Sequence, residues 1–391
     1  MKAVLTVFLK EVKENLRDRR TVINALITGP LMAPIFFVLL MNIMINRELD
    51  KADKPLSVPV VGASLAPNLI DALKARGLDP LPPVADPIAA VTDQRADVVL
   101  KIPKSYPKAW EKGEIAQVEL IYDSSQRDAS SSVNRLEGML KGYARQQGAL
   151  RVLSRGLSPA VSMPLVVDKR DQSTPQSRAG MMFSIMPYFF VLTVFMGGMY
   201  LAIDLTAGER ERQSLEPLFV NPVARWRVLL GKLMAICGFS MTSLLLSIIA
   251  FALAANFVPT EKLGMSLAMG PMFAIDVLVL MLPLVMLLSV LQTLVAAFAK
   301  SYREAQTYLS ILMLIPALPS VILSVIPVRA QDWMYAVPLL GQQMGITALL
   351  RGGSVSMQQI GLTLVTGIVA AFLVGLITAQ VYRSERLAIS G

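Results

Sequence analysis

The chain of 391 residues is 54% hydrophobic and 17% charged, with a mean hydropathy of +0.55; soluble domains carry about a quarter charged residues, so this is a membrane protein. With no histidine and a single cysteine, Cys237, it excludes Ser-His-Asp and Cys-His catalysis, HExxH chemistry, His- or Cys-based zinc sites and any intrachain disulfide. The formal net charge of +9 reads as membrane topology and not as nucleic-acid binding, because the basic residues are scattered and no nucleic-acid reading motif accompanies them.

Residues 1–20 are expected to form an amphipathic helix. Leu5, Phe8, Leu9, Val12 and Leu16 recur at three- and four-residue spacing, with Lys10, Lys13, Glu14, Arg17 and Arg19 on other faces. Such a helix lies along the inner surface of a bilayer, or packs as a plain cytoplasmic helix on a partner. The first span follows within 21–46; its apolar run, about 22–45, is longer than the h-region of a signal peptide and no small-residue cleavage site follows, so it reads as uncleaved.

Residues 47–177 are the only long polar block. Strand-like runs VPVVG (58–62), ADVVLKIP (96–103), QVELIYD (117–123) and MPLVVD (163–168) alternate with helix-like runs at 68–77, 105–114 and 129–156. That alternation predicts an α/β domain, with Pro80, Pro82, Pro83 and Pro87 marking a rigid connection inside it.

The rest, 178–391, carries five further candidate spans near 179–203, 228–256, 270–299, 307–326 and 356–382. Pro316, Pro319 and Pro327 interrupt or end the fifth of the six. The stretch 333–353 is too glycine-broken to span cleanly and too apolar for an open loop; a re-entrant segment on the outer side is expected, with a seventh span as the competing reading. Placing the N-terminus inside puts about fifteen basic residues on cytoplasmic segments against three (Lys262, Arg329, Arg351) on the short outer loops. The expected architecture is therefore mainly α: six transmembrane helices, an α/β extracytoplasmic domain inserted between spans 1 and 2, an amphipathic N-terminal interfacial helix, and both termini in the cytoplasm of what reads as a bacterial inner-membrane protein.

No GxxxxGK[ST] motif is present, so the chain is not its own P-loop ATPase. Between spans two and three, within 204–227, lies GERERQSLEPLFVNPVARWR (208–227). Here Glu209, Arg210, Glu211 and Arg212 precede Leu215, Glu216, Pro217, Leu218 and Phe219, giving charge for orientation and an apolar ridge for docking, with Pro217 and Pro222 fixing where a helix bends and ends. A solvated loop laced with i,i+3 and i,i+4 ion pairs is the plainer alternative.

At these residues the chain resembles the cytoplasmic coupling segment of type-two-class ABC exporter permeases, and more narrowly the sodium-extrusion, NatB-like permease group. The resemblance extends to LRDRRT (16–21), to the block containing ADVVLKIP and ELIYDSS, and to KSYREAQ (300–306). It implies a non-catalytic permease subunit that binds no cofactor itself, a separate ATPase subunit carrying ATP and Mg²⁺ and pushing on 208–222, and a second permease subunit, a homodimer being expected. It makes Na⁺ the usual cargo, with drugs, peptides or lipids as others.

Ionisable groups inside spans are functional candidates by default. Asp204 and Asp276 qualify, although both lie near span ends and read equally as snorkelled carboxylates. Thr242, Ser243, Ser247, Gln292 and Thr293 would add oxygens to a pathway, or serve as ordinary helix-packing residues. Two other classes compete with the exporter: a mechanical signalling or assembly protein acting through the outer domain, and a gradient-driven transporter, which would favour central carboxylates and inverted repeats.

Overall fold

The computed structural model describes residues 2–162, 168, 170–214, 223–267, 269–325 and 328–383. It divides into two compact units, residues 46–171 and the remainder.

Helix α1 (Lys2–Arg17) ends at Asp18, whose carboxylate accepts from the amides of Arg20 and Thr21 and from the Thr21 hydroxyl, starting α2 (Arg19–Val22). The chain runs on through a π-helical stretch (Ile23–Thr28) into α3 (Gly29–Asp53). The apolar stripe of α1 is not what it buries: Leu5, Leu9 and Leu16 stay exposed, while Glu11 and Asn15 are the residues it covers. Side-chain bonding from Thr21, joined by the two backbone amides, holds the Asp18 carboxyl below its ordinary range. Its contribution is therefore present above the unfolded pKa and lost as pH falls through the folded value, below about pH 4. Asp18→Ala should cost about 1 kcal/mol of stability at neutral pH, and the difference from wild type should shrink as pH falls below the ordinary aspartate range; melting curves at about pH 7 and about pH 2.5 check this.

The unit 46–171 follows the predicted alternation. β1 (Leu56–Val61), α4 (Pro67–Lys74), β2 (Leu78–Leu81), α5 (Pro87–Thr92), β3 (Val98–Lys101), α6 (Tyr106–Glu111), β4 (Glu119–Tyr122) and α7 (Arg127–Leu153) succeed one another. The sheet order is β2-β1-β3-β4, with β1 parallel to both β2 and β3 and β4 antiparallel to β3. Val58, Val60 and Leu100 from the strands bury against Leu69, Leu73, Leu136 and Tyr143 from the helices. The stretch 78–81, expected as part of a rigid connection, pairs instead as an edge strand with Pro80 opposite Val58; an edge tolerates proline because one side of the strand needs no ladder donor. The expected strand at 163–168 lies outside the described residues except for Asp168.

In the other unit α8 (Pro175–Met182) leads to α9 (Met186–Ile203), a π-helical stretch (Asp204–Gly208) and a short α10 (Glu209–Glu211). Then come α11 (Arg225–Ala255), α12 (Pro271–Phe298), α13 (Tyr302–Leu312), α14 (Ala317–Val325), α15 (Asp332–Tyr335), α16 (Leu340–Leu350) and α17 (Met357–Arg383). Among the described residues five helices are long and apolar enough to cross a membrane: Arg19–Arg47, Met186–Glu211, Arg225–Ala255, Pro271–Phe298 and Met357–Arg383. The expected fifth of six spans, 307–326, is not one continuous helix but α13 and α14 with a turn between them. Pro316, which lacks an amide hydrogen, stands at that break. The segment 333–353 holds two helices, α15 and α16.

Helix α9 is the core of the unit. Phe190, Val191, Val194, Phe195, Leu201, Ala202 and Ile203 are all buried, as expected for a helix apolar on every face and surrounded by others. Gly197 and Gly198 let α11 approach: a Cβ on Gly197 would sit 2.7 Å from Ser243 Cβ, and one on Gly198 2.6 Å from Ser240 Oγ. Small residues at such contacts are how membrane helices gain packing energy where hydrophobic burial supplies little.

Candidate functional site: residues 204–214 and their anchors

The charged stretch after α9 is held by four separate contacts. Glu209 turns inward and pairs with Lys232 of α11, whose side chain is 1% exposed, and Lys232 Nζ also donates to the Leu205 carbonyl at 3.0 Å. Wide π-helical turns at 204–208 rearrange the carbonyl ladder there, and π-turns recur at functional sites. Arg210 Nη1 reaches the Ala299 carbonyl at 3.4 Å, and Glu211 accepts from the Tyr302 amide at 2.8 Å. Arg212 pairs with Asp204 at 2.9 Å across a part-exposed surface. Asp204, expected as a pathway candidate, thus sits in an ion pair at the helix end. The segment is tied at once to α11, to the α12–α13 turn and back to its own helix.

The N-terminal helix completes the site. A Cβ on Gly231 would lie 2.8 Å from Val7 Cβ and 2.9 Å from the Val4 carbonyl oxygen, so α1 rests directly on the backbone of α11. That seating brings Glu11, with its carboxylate 2% exposed, into the field of Lys232 and Glu209. Burial pushes the Glu11 carboxyl above the ordinary glutamate range; Lys232 pulls it down and Glu209 adds to the rise. Lys10 bridges Glu11 at 3.4 Å and Glu14 at 3.3 Å. Partial burial would lower the Lys10 ammonium, but Glu11, Glu14 and Glu209 together hold it above its usual value. A hollow of about 250 Å³ opens among Glu11, Glu14, Asp18, Asp204 and Glu209, with Lys10 and Arg212 on its wall. Arg20 stacks over the ring of Tyr302 at 5.8 Å, joining α2 to the α13 turn.

Leu215, Glu216, Pro217 and Leu218 lie outside the described residues. Of the expected pathway residues, Ser243, Gln292 and Thr293 are fully buried where α9, α11 and α12 meet. Ser243 Oγ donates to the Ala25 carbonyl at 2.8 Å, Gln292 Nε2 to the Phe195 carbonyl at 2.8 Å, and Thr293 Oγ1 to its own helix at Ser289. Thr193 Oγ1 adds a 3.4 Å contact to Ser247. Thr242 is exposed and bonded to its own helix at Gly238, and Asp276 is half-buried near the start of α12. The structure therefore gathers four of the seven, Ser243, Ser247, Gln292 and Thr293, into a buried joint, and places Asp204, Thr242 and Asp276 elsewhere.

Five spanning helices, an α/β insertion after the first and a charged segment wedged between the second and third make up this arrangement. A family model described as ABC-2 family transporter protein matches residues 26–379. The chain belongs to the ABC-2 transporter family. The ABC transporter permease protein NatB of Bacillus subtilis (strain 168) is 24% identical over 318 residues, which covers 80% of each chain. No solved structure matches. This ABC-2 chain is a permease subunit of an ABC transporter, and the ATPase is a separate subunit.

Lys232, Glu11 and Asn15 were not among the candidates read from sequence, although signals for them existed. Lys232 lies two turns inside an apolar helix, where an ionisable group is a functional candidate. Glu11 and Asn15 stand one turn apart on the face of α1 that its hydrophobic stripe does not mark, and Asn15 Nδ2 donates to the Glu11 carbonyl.

Proposed function

We propose that this permease is an exporter driven by ATP and Mg²⁺ on its partner ATPase, which docks on residues 208–222 and moves them together with α1. The observation that carries this reading is the inward turn of Glu209 onto Lys232: a push on the segment meets no slack before it reaches α11. Glu211 on the Tyr302 amide carries the same push to α12 and α13. On this reading α1 and both termini are cytoplasmic, the unit 46–171 is extracytoplasmic, and the segment at 302–325 completes a sixth crossing. The cargo passes at the interface of two permease copies, a homodimer, and the resemblance to the sodium-extrusion group makes Na⁺ the first cargo to test.

Arg212 offers the cleanest probe, since its pair with Asp204 is exposed and such pairs contribute only about 0–1 kcal/mol. Arg212→Glu should leave membrane insertion and melting temperature near wild type; Leu215→Asp removes an apolar residue of the expected docking ridge. Both should lose copurification of the ATPase and at least about 90% of transport-coupled ATP hydrolysis in proteoliposomes, the effect expected of removing a docking contact worth 1.4 kcal/mol or more. A variant that retains a stimulated, copurifying ATPase sinks the docking assignment.

A further inference from the structure

Where α9 begins, at the end of the helical unit away from residues 204–214, there is a cavity of about 680 Å³. It lies between Ser184–Tyr188, α14, the stretch at 328–330 and the helices α15 and α16. Ligand pockets typically run from about 300 to 1,000 Å³, and a cation with a few waters would leave most of this one unfilled. Its described lining has two chemistries. Ile185, Leu323, Val328 and Met344 are apolar, while Arg329 and Arg351 are basic, and no acidic residue is among the described lining. Hard cations are held by oxygen donors, often carboxylates; the charge on this lining has the opposite sign.

The cavity wall is fixed. A Cβ on Gly180 would meet Arg351 Cγ at 2.4 Å and its Cα at 2.9 Å, so α8 clamps the base of that arginine. Gly352 follows it at φ +76°, ending α16 by a conformation that other residues rarely adopt. Leu339, just before α16, also has a positive φ of 76°, and Gly341 packs so close that a Cβ there would sit 2.7 Å from the Tyr335 carbonyl oxygen. Backbone strain of this kind concentrates at ligand clamps. Gln343, though 2% exposed, lines the cavity and donates to the Pro316 carbonyl at 3.4 Å.

We propose that this cavity binds an amphiphilic anion. Arg329 and Arg351 take its carboxylate, sulfate or phosphate head through their planar donor forks, and Ile185, Leu323, Val328 and Met344 take its hydrocarbon body. The site is distinct from the ATPase-docking segment and does not depend on that assignment.

The test uses the full chain in phosphatidylcholine nanodiscs without ATPase and 11-(dansylamino)undecanoic acid as probe. Dansyl fluorescence should rise saturably, be displaced by dodecyl phosphate, and resist dodecyltrimethylammonium. Arg329→Gln and Arg351→Gln should each weaken binding roughly tenfold or more, as loss of a charged hydrogen bond does, and Arg351→Lys should recover part of it. Met344→Trp, which fills the apolar part, should abolish saturation; each variant's melting curve identifies any that fails to fold. Phosphatidylglycerol in the discs should displace the probe if the natural occupant is a bilayer lipid, and leave it bound if the occupant is a free amphiphile. Absence of saturable binding to the wild type, unchanged affinity in the folded Arg329→Gln, Arg351→Gln double variant, or equal displacement by the cation would overturn the proposal. Because no ATPase is present, none of these results bears on the docking segment, and an Arg212 result bears on nothing here.

Discussion

Lys232→Met is expected to be among the most destabilising single changes in the chain. It leaves the Glu209 carboxylate buried at the junction of α9, α10 and α11 with its cation removed, and the Leu205 carbonyl loses a donor at the same stroke. Breaking a buried pair from one side costs about 3–5 kcal/mol, far more than the pair's net worth, because the surviving charge has no water to return to. Glu209→Gln should cost less, since the ammonium keeps the Leu205 carbonyl and gains a neutral acceptor. The double change Lys232→Met with Glu209→Leu removes both charges and should regain most of the lost stability. Thermal unfolding of wild type, Lys232→Met, Glu209→Leu and the double variant in one detergent closes the cycle, with an expected coupling of about 2–3 kcal/mol for contacting residues. If the double variant is no more stable than Lys232→Met alone, the two groups do not act as a pair.

The double variant also separates stability from coupling. It should fold yet couple poorly, because apolar packing at 209 and 232 gives burial without a directional contact to the Leu205 carbonyl. Glu11 sharpens this point. Its seat beside Lys232 means that α1, α9 and α11 share one electrostatic centre, so a displacement of Glu209 changes the field on α1 as well. ATP hydrolysis stimulated by cargo, measured beside the melting curves, distinguishes a permease that is merely folded from one that transmits.

Much of the architecture was legible because it depends on periodicity. Spans at 186–211, 225–255, 271–298 and 357–383 are apolar runs of membrane-crossing length, and the strands at 98–101 and 119–122 alternate or run apolar between turn residues. One misreading has a local cause: Pro80 hides an edge strand, since proline argues against a central strand and says nothing about an edge. The break at Pro316, by contrast, falls where the prolines are expected to interrupt the helix. The site was legible as a location and not as a geometry. GERER marks charge in an apolar chain, but which of its members turn inward depends on the π-helical stretch at 204–208, which no spacing rule reveals. Lys232 resembles the other basic residues of the stretch in sequence; what sets it apart is its position two turns inside α11, and the structure pairs it there with Glu209. Ser243, Gln292 and Thr293 read in sequence as pathway oxygens; the close approach at Gly197 and Gly198 buries them in a joint where Ser243 Oγ donates to Ala25, Gln292 donates through its amide nitrogen to Phe195, and Thr293 bonds its own helix.

Gly197→Leu is the second change expected to have a large effect, and it acts through shape with no change of charge. A Cβ at 197 would fall 2.7 Å from Ser243 Cβ, 2.9 Å from its Oγ and 3.2 Å from the Ser240 Cα. The last of these is backbone, so α11 as a whole must retreat. Retreat draws Ser243 away from the Ala25 carbonyl and loosens the seat of the first span on the third. Overpacking a close-packed contact costs about 1–3 kcal/mol per substitution and more where backbone must move, against roughly 1 kcal/mol regained from replacing glycine in a helix. At Gly198 the obstructing atoms are Ser240 Oγ at 2.6 Å and Gln292 Oε1 at 2.7 Å, both ends of side chains that can rotate. Gly198→Ala should therefore be milder than Gly197→Ala, and Ser240→Gly should relieve Gly198→Ala while doing less for Gly197→Ala. Size-exclusion profiles and melting temperatures rank the set, with Gly197→Leu expected to give no monodisperse protein. Equal effects of alanine at 197 and 198 would mean that the two helices yield as easily at backbone as at side chain, and the joint would then not be the rigid element through which residues 204–214 act on the bundle.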